Sequence, residues 1–359
     1  MYPIKIVSTQ QSNILEIRWM PHNLCNFKCR YCFPGSFEGT DKAPQDVSLV
    51  IKNFNHLINH YKSFGKSRVH IKILGGEPTL YKGLEQFIRA MKENHNAYIT
   101  IVSNGSRNLR WWAEHGELID NAVLSYHVAQ GDIFHHLDVA DTLYVMGKKV
   151  TSLVLMDPAI WDDCVTAVED MKKHSRHKWM IQAKELVEWN SDNNVQYNEL
   201  QKKYLGNEMK RYPSVWWILK NIKLIATGAM RLFDSTATMS DGSTIRARPN
   251  TYINEDWIDF KGWNCDVGLD CIFVDAKGEI KGACGQTIYN LPYSFNILDN
   301  NFTSNFAPKI VSSVCSMSRC TCQPDTHISK FSLSERDVSR ARTVIPITDY
   351  RIYLNTKSP

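Results

Sequence analysis

The sequence predicts an α/β protein: a partial (β/α)6 TIM-like barrel followed by a small C-terminal cysteine-rich, metal-binding domain. Three observations predict it. Strand-like and helix-like segments alternate from Ile14 to Leu186. Short glycine-bearing or polar motifs follow the strand-like runs, where α/β sheets place their sites. Nine of the 10 cysteines fall into two groups at short spacings, one after the first strand and one near the C-terminal end.

Apolar, β-branched runs at Ile14–Met20, Val69–Leu74, Tyr98–Ser103, Ala122–Tyr126, Val150–Met156 and Trp179–Leu186 read as strands. Helical patterns lie between them at Val47–Tyr61, Gly83–Lys92, Leu109–Leu118, Ile133–Met146 and Trp161–Lys173. Repeated strand–helix units imply parallel pairing, because parallel neighbours need a crossover connection. Six strands are too few for a closed eight-unit barrel; they suit a partial barrel or an open doubly wound sheet. The alternation stops near residue 205, which divides the chain into 1–205 and 206–359. Residues 206–262 read as irregular. Beyond Gly262 a hairpin follows: strand Cys271–Asp275, turn Ala276–Gly278 and return strand Glu279–Cys284. Residues 206–260 and 326–359 carry no readable motif.

The chain has 359 residues, 43% hydrophobic and 22% charged, enough for a sizeable core. Its net charge of +5 permits an acidic partner without demanding one. The basic stretches Lys172–Lys178 and Lys202-Lys203 read as cations at helix ends. No apolar run is long enough for a membrane span, and the first residues lack a signal-peptide pattern. A cytoplasmic protein without membrane contact is expected. In a reducing compartment clustered cysteines indicate metal more often than disulfides.

The first group is Cys25-Asn26-Phe27-Lys28-Cys29-Arg30-Tyr31-Cys32. Three thiolates supply three corners of a [4Fe-4S] cube and leave one iron open; a zinc site completed from elsewhere is the alternative. With its Cys-x3-Cys-x2-Cys spacing and Tyr31 before the last cysteine, the chain resembles the radical S-adenosylmethionine (SAM) superfamily. The resemblance implies that the open iron chelates the amino and carboxylate groups of SAM. It also implies reductive cleavage to a 5′-deoxyadenosyl radical that abstracts hydrogen from a substrate. Gly75-Gly76-Glu77-Pro78 matches the family's Gly-Gly-Glu-Pro motif. The resemblance places the methionine end of SAM there, its ammonium on backbone carbonyls and Glu77, with the glycines admitting close approach. Ser103, Asn104 and Ser125 match family positions near the ribose and carboxylate. An ordinary turn is the competing reading for both motifs.

The second group is Cys265, Cys271, Cys284, Cys315, Cys320 and Cys322. Its first three members, around a hairpin, resemble the opening of the SPASM domain of radical SAM peptide and protein modifiers. The tail is shorter than the full SPASM pattern and nearer the one-cluster twitch version. Six thiolates suffice for one auxiliary [4Fe-4S] cluster but not two. Cys271 and Cys284 are its first candidate ligands, then Cys320 and Cys322, then Cys265 and Cys315. A structural zinc site with four cysteines is the alternative. Cys164 lies in a helical pattern and reads as a buried small apolar residue.

His127, at the end of the fourth strand, is a candidate proton donor or acceptor. Lys184 and Glu185 are candidates to hold a carboxylate or phosphate. Trp111-Trp112 and Trp216-Trp217 read as packing residues or as base-stacking platforms. The resemblance favours a peptide or protein side chain as substrate and an electron donor such as flavodoxin or ferredoxin. A small molecule or a nucleobase in nucleic acid is the second enzymatic reading. A non-catalytic, metal-stapled binding protein is the third.

Overall fold

The computed structural model describes residues 2–8, 13–32, 39, 43–186, 195–209, 235–247, 252, 255–320 and 328–332. Strand β1 (Pro3–Ser8) precedes β2 (Ile14–Trp19). Five strand–helix units follow: helix α1 (Val47–Ser63), β3 (Arg68–Ile73), α2 (Leu84–His95), β4 (Tyr98–Ser103), α3 (Leu109–His115), β5 (Asn121–Tyr126), α4 (Ile133–Val145), β6 (Lys149–Met156), α5 (Trp161–His174) and β7 (Met180–Glu185). Helix α6 (Glu199–Met209) comes after β7. Strands β2 to β7 are parallel neighbours in chain order, the (β/α)6 arrangement that the alternation predicts.

Local chemistry sets the helix limits. Asp46 accepts a hydrogen bond from the Leu49 N–H and Asp132 accepts from Phe134 and His135, capping α1 and α4. Asn96 ends α2 in the left-handed region at φ 48°. Helix α5 starts with Asp162 and Asp163 and ends with Lys172, Lys173 and His174, charges suited to its dipole. Lys202 and Lys203 depart from expectation. They lie inside α6, which runs on to Met209, and Lys202 pairs with Glu199 one turn back.

Alternation along the strands creates two unlike faces. The face toward the helices is apolar: Ile17, Trp19, Ile71, Ile99, Ile101 and Leu124 pack with Phe54, Phe87, Trp112 and Leu143. Trp19, 1% exposed, has its ring centroid 4.1 Å from Phe87 and 5.2 Å from Phe54. At the far edge Val154, Met156 and Ala183 pack with Cys164, Val168 and Met171, which confirms Cys164 as a buried apolar residue. The opposite face is the more polar one and carries Glu16, Arg18, His70, Lys72, Thr100, Asn121 and Lys149, with Val102, Val123, Leu153 and Leu155 among them.

Two features were not legible in the sequence. Residues 206–262, read as irregular, contain a hairpin of β8 (Ser235–Met239) and β9 (Thr244–Ala247) turning at Asp241 and Gly242. Strand β1 pairs with β8 in a second, antiparallel sheet that also contains β10 (Asn264–Cys265), β14 (Ser313–Val314) and β15 (Lys330–Phe331). The cysteine-bearing hairpin forms as expected, from β11 (Cys271–Val274) and β12 (Glu279–Lys281), with β13 (Phe295–Asn296) beside it. Strand β11 also pairs in parallel with β2, from Cys271 opposite Glu16 to Val274 opposite Trp19. The main sheet therefore gains a seventh parallel strand from beyond residue 205.

Candidate functional site

The loop after β2 carries the cysteine triplet, and the end of β3 holds that loop in place. Gly76 N–H donates to the His22 carbonyl at 3.3 Å and Glu77 N–H to the Leu24 carbonyl at 2.8 Å. This approach requires glycine. A Cβ on Gly76 would lie 2.1 Å from the Leu24 oxygen, and one on Gly75 would lie 2.7 Å from the His22 oxygen. Gly75 also sits at φ +139°, where other residues are strained. In this structure the glycines admit the backbone of the cysteine loop itself.

Glu77 is fully buried. Its Oε1 accepts from Thr79 N (3.0 Å), Thr79 Oγ1 (2.6 Å) and Ser103 Oγ (2.8 Å), and its Oε2 from Asn104 N (2.7 Å). Burial pushes its pKa up and these donors pull it back, leaving it above the usual carboxylate value. Glu77 thus ties the end of β3 to the end of β4 and caps the short 3-10 turn Pro78–Leu80, in which Pro78 is buried. Asn104 continues the connection: its Nδ2 donates to Asn26 Oδ1 at 3.0 Å and lies 3.8 Å from Cys25 Sγ. Asn26 Nδ2 donates to Ser106 Oγ at 2.9 Å.

The rest of the loop is fastened to β5 and β6. His127 Nδ1 lies 3.2 Å from Cys29 Sγ and 2.9 Å from Tyr31 Oη, with the Tyr31 ring stacked on it. Gln130 accepts from Lys28 N at 2.8 Å and donates to Cys29 Sγ at 3.4 Å. Burial lowers the His127 pKa to about 4 and pushes the Cys29 thiol up to about 12; it raises Cys25 as well. The Arg30 guanidinium forms a two-bond ion pair with Asp157 at the end of β6. Burial works to raise the Asp157 pKa, but Arg30 and the Ala159 N–H reverse that and hold it below its ordinary value.

Cys25, Cys29, Tyr31, Gly75, Gly76, Glu77, Pro78, Ser103 and Asn104 therefore meet at the C-terminal ends of the strands. Cys32 is exposed at the end of the loop, its N–H donating to the Cys29 carbonyl. Ser125 lies on the polar face of β5, opposite Leu153. Strand alternation separates the Lys184/Glu185 pair: Lys184 shares the polar face and Glu185 the other. Trp112 is a core residue, 0% exposed, while Trp216, Trp217 and Cys322 lie outside the described residues. Asn26, Thr79, Gln130 and the Arg30–Asp157 pair escaped the sequence reading. Asp157 directly follows the expected strand Val150–Met156, but nothing in the pattern joined it to Arg30, 127 positions away.

In the second group, Cys265 is close enough to Cys315 and Cys320 for their charges to act on it. Burial drives its thiol up to about 12 against the opposing charge of buried Lys330. Backbone pairing sets this arrangement, since Cys315 N–H donates to the Trp263 carbonyl and Cys320 N–H to that of Ile258. Cys271 lies on the polar face of the main sheet opposite Glu16, and Cys284 follows the hairpin. Among the described residues no three His, Cys, Asp or Glu side chains converge as one metal ion requires.

Residues 19–132 match the radical SAM superfamily. This segment is a radical SAM domain. GTP 3′,8-cyclase of Pasteurella multocida is 24% identical over 203 residues, covering 50% of this chain and 58% of that protein. GTPase Obg of Brachyspira hyodysenteriae is 29% identical over 154 residues, 42% of this chain and 22% of that protein. The chain thus spans less than two thirds of the length of these curated relatives. Among solved structures, native anSMEcpe with bound AdoMet aligns at a TM-score of 0.49 and 13% identity, over 81% of this chain and 80% of that one. Streptococcus suis SuiB bound to S-adenosylmethionine aligns at 0.49 and 16%, over 81% and 64%.

The donor set of the radical SAM domain fits the [4Fe-4S] cluster and SAM that the superfamily uses. Three unbridged cysteines stand on one loop. The Phe27 N–H, Asn104 Nδ2 and Gln130 Nε2 point at two of the sulfurs, as donors that stabilise thiolates do. No helix among the described residues is long and apolar enough to cross a membrane.

Proposed function

We propose that the chain is a radical SAM enzyme that holds a [4Fe-4S] cluster on Cys25, Cys29 and Cys32 and removes a hydrogen atom from a peptide or protein side chain. The observation that carries this reading is the clamping of the cysteine loop onto Gly75–Glu77 and Asn104. That clamp holds the start of the cysteine loop, at Leu24 and Cys25, beside the C-terminal ends of parallel strands, which supports a cluster held there. Bound cluster and SAM supply an electron and a 5′-deoxyadenosyl radical. The chain's own residues do the rest. Asn104 and Gln130 direct N–H groups at Cys25 and Cys29. Glu77 fixes the shelf on which the methionine end of SAM would lie, with Tyr31, Gly75, Gly76, Pro78, Ser103 and Ser125 around it. The polar face of the sheet receives the substrate. An auxiliary [4Fe-4S] cluster on the C-terminal cysteines and an electron donor such as flavodoxin or ferredoxin belong to the same proposal.

The test is anaerobic reconstitution of wild type and of the Cys25/Cys29/Cys32→Ala variant. Iron, sulfide and 5′-deoxyadenosine formed after reduction with SAM are then measured. About eight irons per chain and product only in wild type support the proposal. A zinc-loaded chain that never cleaves SAM sinks it. The similarity to GTP 3′,8-cyclases favours a second reading, a small-molecule substrate. SAM turnover triggered by nucleotides rather than by peptides would select it.

A further inference from the structure

The polar face of the main sheet has a lopsided charge. Strand alternation and register place Arg18, Arg68, Lys72, Lys149 and Lys184 on it, with Glu16 as the one carboxylate on that face of the described parallel strands. Glu16 is already engaged, accepting from Arg18 Nε at 2.6 Å with His70 beside it at 4.0 Å. A single lateral row runs across five strands: Arg18 opposite Lys72, Lys72 opposite Thr100, Thr100 opposite Asn121 and Asn121 opposite Lys149. Within it Asn121 Nδ2 donates to Thr100 Oγ1 at 3.1 Å, and His70 Nε2 lies 2.8 Å from the same oxygen. The middle of the row is thus neutral and internally bonded, and both ends are cationic.

Lys149 is the informative member. Its ammonium has no ion-pair or hydrogen-bond partner among the described residues. Three strand spacings, about 14 Å along the sheet, separate its backbone from that of Lys72. Even so, burial and then the charge of Lys72 draw its pKa down to about 8. Half-buried, with no counter-charge of its own among the described residues and with a second cation acting on it, the Lys149 ammonium costs stability. The arrangement becomes favourable when an anion lies between them.

We infer that this face is an anion-binding surface, with Lys149 and Lys72 as the residues that recognise a phosphate or carboxylate group of the substrate. The inference rests on the reading that substrate is received on this face of a radical SAM enzyme. It adds the chemical class of that substrate and the residues that select it.

Calorimetric titration of the reconstituted full-length chain with inorganic pyrophosphate, and separately with tri-glutamate, tests it. At least one probe binds, Lys149→Gln and Lys72→Gln each weaken it about tenfold, and Lys149→Arg restores it to within about threefold. Pyrophosphate alone identifies a phosphate-bearing substrate, tri-glutamate alone an acidic peptide, and both an anion site of broad tolerance. No binding of either probe to wild type, or unchanged binding in Lys149→Gln, overturns the inference. Wild type gives a second readout that does not depend on how a variant folds. Acetylation of Lys149 by acetic anhydride, followed by mass spectrometry, should slow about tenfold under a saturating bound probe; an unprotected Lys149 with probe bound overturns the inference. Neither readout uses SAM cleavage. A chain that binds the probe yet makes no 5′-deoxyadenosine would refute the radical reading and not the anion site, and the reverse result would do the opposite.

Discussion

Gly76→Ala should separate the cysteine loop from the strand that holds it. The new Cβ would stand 2.1 Å from the Leu24 oxygen and 2.4 Å from its carbonyl carbon, both backbone atoms, where ordinary contact begins near 3.4 Å. No side-chain rotation relieves that overlap, so the two segments must move apart by more than an ångström. The movement strains or breaks the bonds from Glu77 N to Leu24 O and from Gly76 N to His22 O. Losing two backbone hydrogen bonds costs about 1–3 kcal/mol. Residual overpacking brings the expected destabilisation to roughly 2–4 kcal/mol. Cys25, next to Leu24, moves with the loop away from Asn104, so cluster assembly should suffer beyond the loss of stability. Urea unfolding of the metal-free chain reads the first effect, and iron and sulfide per chain after anaerobic reconstitution read the second. A variant within about 0.5 kcal/mol of wild type and carrying full iron would show that the close approach is not what positions the cysteines.

The Arg30–Asp157 pair should matter locally rather than globally. Arg30 is largely exposed, so Asp157→Asn should cost about 1 kcal/mol or less in urea unfolding, while the reconstituted cluster bleaches faster in air than in wild type. Unchanged bleaching would remove the pair from the site. His95 sets a pH dependence. Its Nδ1 accepts from Lys62 Nζ at 2.9 Å, its Nε2 lies 2.8 Å from Asn55 Oδ1, and burial lowers its pKa from 6.5 to about 4. The neutral ring therefore contributes stability that is present above pH 6.5 and lost as pH falls toward about 4. The loss is on the order of 3 kcal/mol, and His95→Gln should make that part of the urea-stability profile shallower, the other buried histidines such as His127 keeping the rest of the slope. Trp112→Ala should cost about 3–5 kcal/mol, because the ring is fully buried in the helix–sheet core; a loss under 1 kcal/mol would return Trp112 to the candidates for ligand stacking.

Strands β2 to β7 of the main sheet were legible because each has a strong local signature. Tyr98–Ser103 begins and ends where its apolar, β-branched run does, and α1 and α4 begin immediately after their capping aspartates. The second sheet was not legible. Strand β1 finds its partners β8 and β15 more than 220 positions away, so no window of sequence contains the reason for that sheet, even though β8 and β9 pair locally as a hairpin. The same holds inside the candidate site. The triplet, Gly75–Pro78 and Ser103-Asn104 could be read as motifs. His127 was visible only as a strand-end residue, and its place against Cys29 and Tyr31 arises from contacts 98 and 96 positions apart.

By itself, the sequence determined where the strands β2 to β7 lie along the chain, their parallel sense and the set of cysteines available to a cluster. These follow from residue periodicity and spacing along one chain. Tertiary structure alone decided three other things. It showed that the glycines make room for the cysteine loop, that Arg30 reaches Asp157, and that Lys72 and Lys149 belong to one row on one face. Each depends on how far apart two segments come to rest after crossovers of many residues, a distance set by packing and register rather than by any local preference of the chain.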